Sequence, residues 1–389
     1  MAFQNAEHIS GDFYTRKFEK GKQDNTLIVN MGPQHPSTHG VLRVMLEIDG
    51  EYILRAEPVV GYLHRMHEKM GEAKTWGGFY PNLGRIDYGH ALSWNWAYCG
   101  AVERLMGMEI PEKAELLRVI TCELNRLTSH LLWWGAYILD LGAFTPILYA
   151  FDDREKLLDI LQRPTNSRLT YAYFRVGGVK ADLDDECIRK IREFIPYFRS
   201  RLPMYKNLVT DNIILRKRIE GIGIIDRDMC TRYGCTGPVI RGAGVPYDLR
   251  RSEPYSVYDR FDFEVPTQDS ACSAGRYLVR MSEMEQSLRI IEQALDMLPS
   301  AEGGHLMAKA PKPAMKPPAG EAFFAVEGGR GKVGVYVVSD GSKNPYRVKL
   351  RAPGYSNLHA FAEAAQGTIL ADAVAILGSL DLIIPEIDR

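Results

Sequence analysis

One segment dictates what the rest of this chain has to do. Leu116, Leu117, Ile120, Leu124, Leu127 and Leu131 recur at helical spacing, which predicts a single helix running to about Asp140. Pro111 sits where a first-turn proline is tolerated, and Glu112 and Glu115 follow at the favourable end of the helix dipole. The helix is apolar enough to lie in the middle of a bundle, so other elements must wrap around it. The most apolar stretch, Leu127 to Phe151, is interrupted by His130 and Asp140. Its longest uncharged run falls short of the roughly 20 residues that a membrane-spanning helix needs.

Further helices are predicted at Arg85 to Met106, Thr145 to Leu161, Asp185 to Val209 and Ala274 to Leu298. Met281 and Met284 sit on an apolar stripe of the last one, and such a stripe reads as core. Before these helices, Thr26 to Asn30, Val41 to Ile48 and Tyr52 to Glu57 read as strands, with Asp49-Gly50 as a hairpin signal. After them, Pro311, Pro313, Pro317 and Pro318 mark an extended linker within Ala308 to Gly320. Strands at Phe323 to Glu327, Val333 to Val338 and Tyr346 to Arg351 follow, then short helices at Leu358 to Ala365 and Thr368 to Leu380. The expected fold is α+β: an antiparallel sheet over 1–60, a helical bundle over 61–305, and a linker, sheet and short helices over 306–389.

Formal charge is −1, from 48 basic and 49 acidic residues, so no global field draws the chain to nucleic acid or an anionic membrane. Met1 to Gln23 is polar and carries no secretory signal, which predicts a cytosolic chain able to dock on a membrane protein. The cysteines at 99, 122, 187, 230, 235 and 272 form no Cys-x-x-Cys pair, a spacing that argues against an iron–sulfur cluster on this chain.

The richest loop is Met31 to Gly40, Met-Gly-Pro-Gln-His-Pro-Ser-Thr-His-Gly. It holds His35 and His39 between prolines and glycines. Pro36 pushes His35 toward extended geometry, which opposes a helical zinc pair. On the loop alone, two readings stand: a tight hairpin whose histidines bond backbone, or a stiff frame that fixes where a proton goes.

Eight segments together resemble one family: MGPQHPSTHGVLR (31–43), GYLHR (61–65), RIDY (85–88), AVERLMG (101–107), LDLGAFTPILYAF (139–151), YFRVGGV (173–179), VVSDGSKNPYRVKLRAP (337–353) and LGSLDLIIPEIDR (377–389). This chain resembles the D-type, or 49-kilodalton, subunit of respiratory complex I, the proton-pumping NADH:quinone oxidoreductase. That family is in turn similar to the large subunits of nickel–iron hydrogenases, which implies a hydrogenase-like scaffold. Hydrogenases hold nickel and iron with two cysteine pairs, and at those four positions this chain carries Asp87, His90, Ile383 and Glu386. A soft thiolate set has become a hard, incomplete one.

The resemblance implies that the vacated cavity holds a quinone headgroup, with His39 and Tyr88 as its two contacts and proton donors. It implies that Asp140 pairs with His39 and that their unpairing starts pump coupling. It also implies that Arg65 lies close to a [4Fe-4S] cluster in a partner, where a cation raises the cluster potential. The chain itself is expected to bind no cofactor. Expected partners are the cluster-bearing small (B-type) subunit, the C-type subunit and the membrane arm, on the cytoplasmic face of a bacterial inner membrane. His35 reads as a loop brace.

The chain also departs from the family. Met66-His67 follows Arg65 where glycine is usual, Gly84 replaces a common acid, Asp269 to Arg276 differs, and Ile384-Pro385 replaces small residues. NADH, ferredoxin or a reduced deazaflavin remains open as electron donor, as does ubiquinone against menaquinone. A metal-free scaffold subunit stays an alternative, and a hydrogenase-type catalytic subunit would need the missing cysteines.

Overall fold

The computed structural model describes residues 18–20, 26–35, 40–301, 304–308 and 315–389. His39 and most of the proline linker lie outside the described residues. The amino-terminal sheet is antiparallel in the order β1 (Phe18–Lys20), β2 (Leu27–Met31), β3 (Arg43–Asp49) and β4 (Tyr52–Val59). Val44, Leu46 and Ile48 of β3 are buried in alternation, as a sheet with one core face requires. The β3–β4 turn places Gly50 at φ 59, the left-handed conformation that glycine adopts without penalty. His35 and Gly40 form an isolated antiparallel bridge that closes the β2–β3 connection.

Two short helices, α1 (His67–Ala73) and α2 (Tyr80–Leu83), lead into α3 (Ala91–Met106) and α4 (Glu112–Asp140). The central helix ends at Asp140 as expected, and Gly142 at φ 97 turns the chain into α5 (Thr145–Thr165). A two-residue hairpin, β5 (Phe174–Arg175) with β6 (Gly178–Val179), precedes α6 (Asp185–Tyr205). The last turns of α6 widen into a π-helical segment, Lys206–Thr210, just beyond Pro203, which cannot donate to the helical ladder. Four short helices follow: α7 (Ile213–Ile219), α8 (Arg227–Tyr233), α9 (Pro238–Arg241) and α10 (Leu249–Ser252). Then comes the long α11 (Ser273–Met297).

The carboxy-terminal sheet runs β7 (Gly320–Gly328), β8 (Gly331–Ser339), β9 (Arg347–Arg351), and α12 (Pro353–Ala364), α13 (Leu370–Leu380) and α14 (Ile384–Asp388) end the chain. The fold is α+β, with helices at the centre and small antiparallel sheets at both ends.

α4 lies at the centre, packed on α5, α11, α3 and α13. One core joins α3 to α6, α11 and β7–β9, and a second joins β2–β4 to α8, α9 and α12–α14. The first and last parts of the sequence therefore share one apolar interior. α3 reaches β7 closely because Gly100 has no side chain: a Cβ there would sit 2.4 Å from the Phe324 ring. Among the described residues no helix is long and apolar enough to cross a membrane.

Candidate functional site

The last nine residues organise the site. α13 stops at Asp381, which adopts φ 56, and Leu382, Ile383, Ile384 and Ile387 then bury themselves around the short α14. Asp388 captures the Gly61–Arg65 loop. Its carboxylate accepts from the amides of Gly61 (2.8 Å) and Leu63 (2.6 Å), and its carbonyl accepts from His64 Nδ1 at 2.8 Å. Gly40 meets the same helix, since a Cβ on it would lie 3.5 Å from Ile384. Three predicted segments, the histidine loop, GYLHR and the carboxy terminus, thus converge.

The fourth, RIDY, joins them through a turn. The sequence pattern predicts helix from Arg85, but α3 begins only at Ala91. Asp87 is the reason: its Oδ1 accepts from the amides of Gly89 (2.8 Å) and His90 (3.0 Å), which folds a turn before the helix. Its Oδ2 accepts from Arg330 Nη1 at 2.8 Å. Arg330 also donates to Asp381, from Nη2 to Oδ1 at 3.2 Å and from Nε to the carbonyl at 3.0 Å. Arg330 stands in the β7–β8 turn, Gly328-Gly329-Arg330-Gly331, yet is only 2% exposed. Its guanidinium occupies the middle of the acidic group formed by Asp87, Asp381 and Glu386.

The four positions that carry cysteine in hydrogenases have separate fates here. Asp87 and Glu386 face Arg330, and Ile383 is buried in the core. His90 is turned away, with Nδ1 accepting from the Gly329 amide (3.0 Å) and Nε2 donating to the Cys122 carbonyl (3.1 Å). Burial, and then Arg126, hold its pKa well below the ordinary value, so the ring is neutral with both nitrogens engaged.

Tyr88 is half-buried beside Asp87. No described group hydrogen-bonds its hydroxyl. Burial raises its pKa, Arg330 opposes that rise, and Asp87 and Asp381 add to it. The phenol stays protonated at neutral pH, with a cation nearby to soften the cost of losing its proton. Burial likewise raises Asp87, against the pull of Arg330, and pushes Glu386 up to about 8, with the Asp87 charge adding to the effect.

Arg65 is exposed and tied to the same turn, donating from Nη2 to the Arg85 carbonyl at 2.8 Å. The same nitrogen lies 3.3 Å from His67 Nε2. Burial, then Arg65 and His64, lower His67 to about 4, so it accepts as a neutral ring. Asp140 is the half-buried last residue of α4. Nearby, Trp133 donates to the Gly378 carbonyl (2.7 Å) and Tyr137 to that of Ala375 (3.1 Å), which fixes this end of α4 along α13. α13 and β2 in turn wall a mostly apolar groove of about 490 Å³ that His35 lines. The structure brings Tyr88, Arg65 and the end of the histidine loop to the carboxy terminus; His39 lies outside the described residues. Arg330, Asp381 and Asp388 belong to the candidate site by their contacts, and the sequence alone does not single them out. Their available signal is a charged residue set among three glycines and a carboxy terminus rich in buried isoleucine.

The chain matches the family described as "Respiratory-chain NADH dehydrogenase, 49 Kd subunit" over residues 140–317 and 305–389. The chain belongs to that family. It is 56% identical over 364 residues to a D-type NADH-quinone oxidoreductase subunit of Opitutus terrae, covering 94% of this chain and 90% of that one. It is 55% identical to the corresponding D-type subunit of Desulfotalea psychrophila, covering 94% and 98%. Among solved structures, a chain of the membrane-bound sulfane sulfur reductase, an archaeal respiratory membrane complex, superposes with a TM-score of 0.90 at 36% identity. The alignment covers 95% of this chain and 100% of that one. The protein is thus a subunit of an NADH-quinone oxidoreductase-type complex.

Two departures from the 49-kilodalton pattern have structural correlates. Met66 adopts φ 55 as the residue preceding α1, a conformation that the usual glycine supplies freely. At Gly84 a Cβ would lie 2.8 Å from both the Thr170 carbonyl carbon and the Tyr171 oxygen. The backbone of residues 170–171 fills the space that an acidic side chain would occupy.

Proposed function

We propose that this chain is the quinone-site subunit in the peripheral arm of a proton-pumping NADH:quinone oxidoreductase. The observation that carries the reading is Tyr88: a protonated phenol, held by no described group, beside a buried arginine bridging two aspartates. Reduction of a quinone takes two electrons and two protons and develops negative charge on each ring oxygen. Tyr88 hydrogen-bonds one oxygen and gives it a proton, and Arg330 stabilises the phenolate that remains. His39, which enters through the family resemblance, serves the other oxygen, with Asp140 as its ion-pair partner. The electrons come from a [4Fe-4S] cluster in the small B-type subunit, which docks on the face where Arg65 is held outward. The C-type subunit and the membrane arm complete the assembly on the cytoplasmic face of the membrane. The NADH side is favoured over ferredoxin or deazaflavin because the relatives at 56% and 55% identity carry NADH in their names.

The test compares quinone reductase and ferricyanide reductase activities of the assembled complex carrying Tyr88→Phe, His39→Ala or both. Quinone turnover is expected to fall by at least about tenfold in each single variant, somewhat below what a positioned proton donor typically contributes. Ferricyanide reduction, which draws electrons upstream, stays unchanged. Wild-type quinone turnover in the double variant overturns the site and leaves the scaffold reading.

A further inference from the structure

Glu386 is fully buried, and its surroundings give it almost nothing to bond. Its Oε1 meets one donor, the Gly354 amide, at a long 3.5 Å, and its Oε2 has no hydrogen-bond partner among the described residues. Arg330 faces it, yet all three of its nitrogens are committed elsewhere: Nη1 to Asp87, and Nη2 and Nε to Asp381. Arg280 approaches Asp381 at 3.9 Å and donates to the Ser379 and Leu380 carbonyls. Arg351 faces the site from β9, but its hydrogen bonds go to Thr236, Lys332 and Gly234. The charged and titratable groups facing Glu386 are therefore Asp87, Asp381, Arg330 and Arg351, and none makes a contact that would hold it as a carboxylate. An ionised carboxylate in such a place is costly, and the group takes a proton instead. Asp381 Oδ2 is a second buried acceptor without a hydrogen-bond partner in the same group.

Tyr88 and Glu386 flank the same buried group: Arg330 faces both of them and bridges Asp87 and Asp381. We propose that Glu386 carries a proton in the resting protein and returns it, across the Arg330 group that both residues flank, to the Tyr88 phenolate after quinone has taken the phenol's proton. The step conserves charge within the site. The Glu386 O–H bond breaks, the Tyr88 O–H bond re-forms, and the carboxylate left behind, which no contact holds, takes a proton back from solvent before the next turnover. The two electrons go to quinone from the partner cluster and play no part in this transfer. Asp87 is a positioning residue in this scheme, and Glu386 is a store one step removed from the substrate.

The inference rests on the quinone-site reading, so its test separates the two. Infrared difference spectra of the resting, assembled complex are recorded against pH for wild type, Glu386→Gln and Glu386→Asp. A protonated-carboxyl band that bleaches as pH passes about 8, and that is missing in Glu386→Gln, supports the proposal. No such band in the wild type at neutral pH overturns it, even where the variants fail to assemble. Turnover supplies the second arm. Glu386→Gln is expected to bind quinone with unchanged KM, to turn over about tenfold more slowly and to lose the alkaline fall in kcat; Glu386→Asp recovers most of the rate. An unchanged kcat and pH profile in Glu386→Gln overturns the proposal. Wild-type turnover in Tyr88→Phe instead sinks the quinone-site reading and leaves the carboxyl band to be judged alone.

Discussion

Arg330 donates to Asp87 at 2.8 Å across 243 positions of sequence, and neither residue is more than 2% exposed. The pair joins the β7–β8 turn to the turn that presents Tyr88. Removing one member of a buried ion pair leaves the other uncompensated, a loss of about 3–5 kcal/mol. Arg330→Met is therefore expected to destabilise the protein by about that much, because Asp87 and Asp381 are both stranded. Adding Asp87→Asn restores part of it, with a coupling energy of about 1–3 kcal/mol between the two changes. Denaturant unfolding of the two single variants and the double variant measures the coupling. Strict additivity would show that the contact contributes nothing.

Met66 bears a strain that its sequence position does not require. Its left-handed conformation costs an L-residue roughly 1–2 kcal/mol, while glycine loses more chain entropy on folding by about 0.5–1 kcal/mol. The difference predicts that Met66→Gly raises stability by about 0.5 kcal/mol. Met66→Val, with a branched Cβ, lowers it by about 1 kcal/mol or more. Met66 is 58% exposed, so packing contributes little to either change. Thermal unfolding of the pair decides the sign.

The parts of this fold that can be read from sequence are those with strong periodicity. α4 ends at Asp140 and α11 spans Ser273–Met297, each within a residue of its sequence pattern, because their apolar stripes have to face the core. The strands at both ends, β1 (Phe18–Lys20) apart, are also legible, as short runs between turn signals. Arg85–His90 passes for helix in the sequence because the side chain of Asp87 competes for amides a helix would use, and no periodicity reports that. α1 and α2 escape detection because helices of seven and four residues carry too few turns to show a period. Arg330 is hidden by its turn, where charged residues are ordinarily solvated; only the fold shows that Asn357 of α12, Asp381 and Glu386 of α14 close around it. The histidine loop, GYLHR and the carboxy-terminal segment are readable one by one. Their meeting on Asp388 and Ile384 is not, since it depends on the first and last segments of the chain sharing one core.

His67 predicts a stability change on the acid side. Its folded-state pKa is lowered to about 4, chiefly by burial and then by Arg65, against about 6.5 in the unfolded chain. The unfolded state therefore binds the extra proton first. His67 contributes its full stability above about pH 6.5, and that contribution is lost as pH falls toward 4. The loss should approach about 2 kcal/mol, discounted from the full linkage value because the ring lies beside an exposed arginine. Chemical denaturation at pH 7, 5.5 and 4 is expected to show it in the wild type and to show a shallower slope in His67→Gln. Identical slopes would mean that the ring titrates freely in the folded state.

Asp388 fixes the Gly61–Arg65 loop, and the clamp has a direct readout. Its carboxylate satisfies the Gly61 and Leu63 amides, which are charge-assisted bonds contributing about 1.5–3 kcal/mol each when the partner is ionised. Asp388→Ala removes both acceptors but keeps the backbone carbonyl that takes His64, so the loop loosens without detaching. Hydrogen exchange at the Gly61 and Leu63 amides is expected to speed up by at least about tenfold, while amides in α4 stay protected. Asp388→Asn retains one oxygen and should fall between the two. The functional consequence runs through Arg65. A loosened loop no longer holds its guanidinium against the Arg85 carbonyl, so, on the proposed reading that Arg65 faces the partner cluster, electron delivery to quinone is expected to slow in Asp388→Ala while ferricyanide reduction does not. Equal exchange rates in wild type and Asp388→Ala would place the restraint on the loop elsewhere, in the packing of Leu63 against the second core.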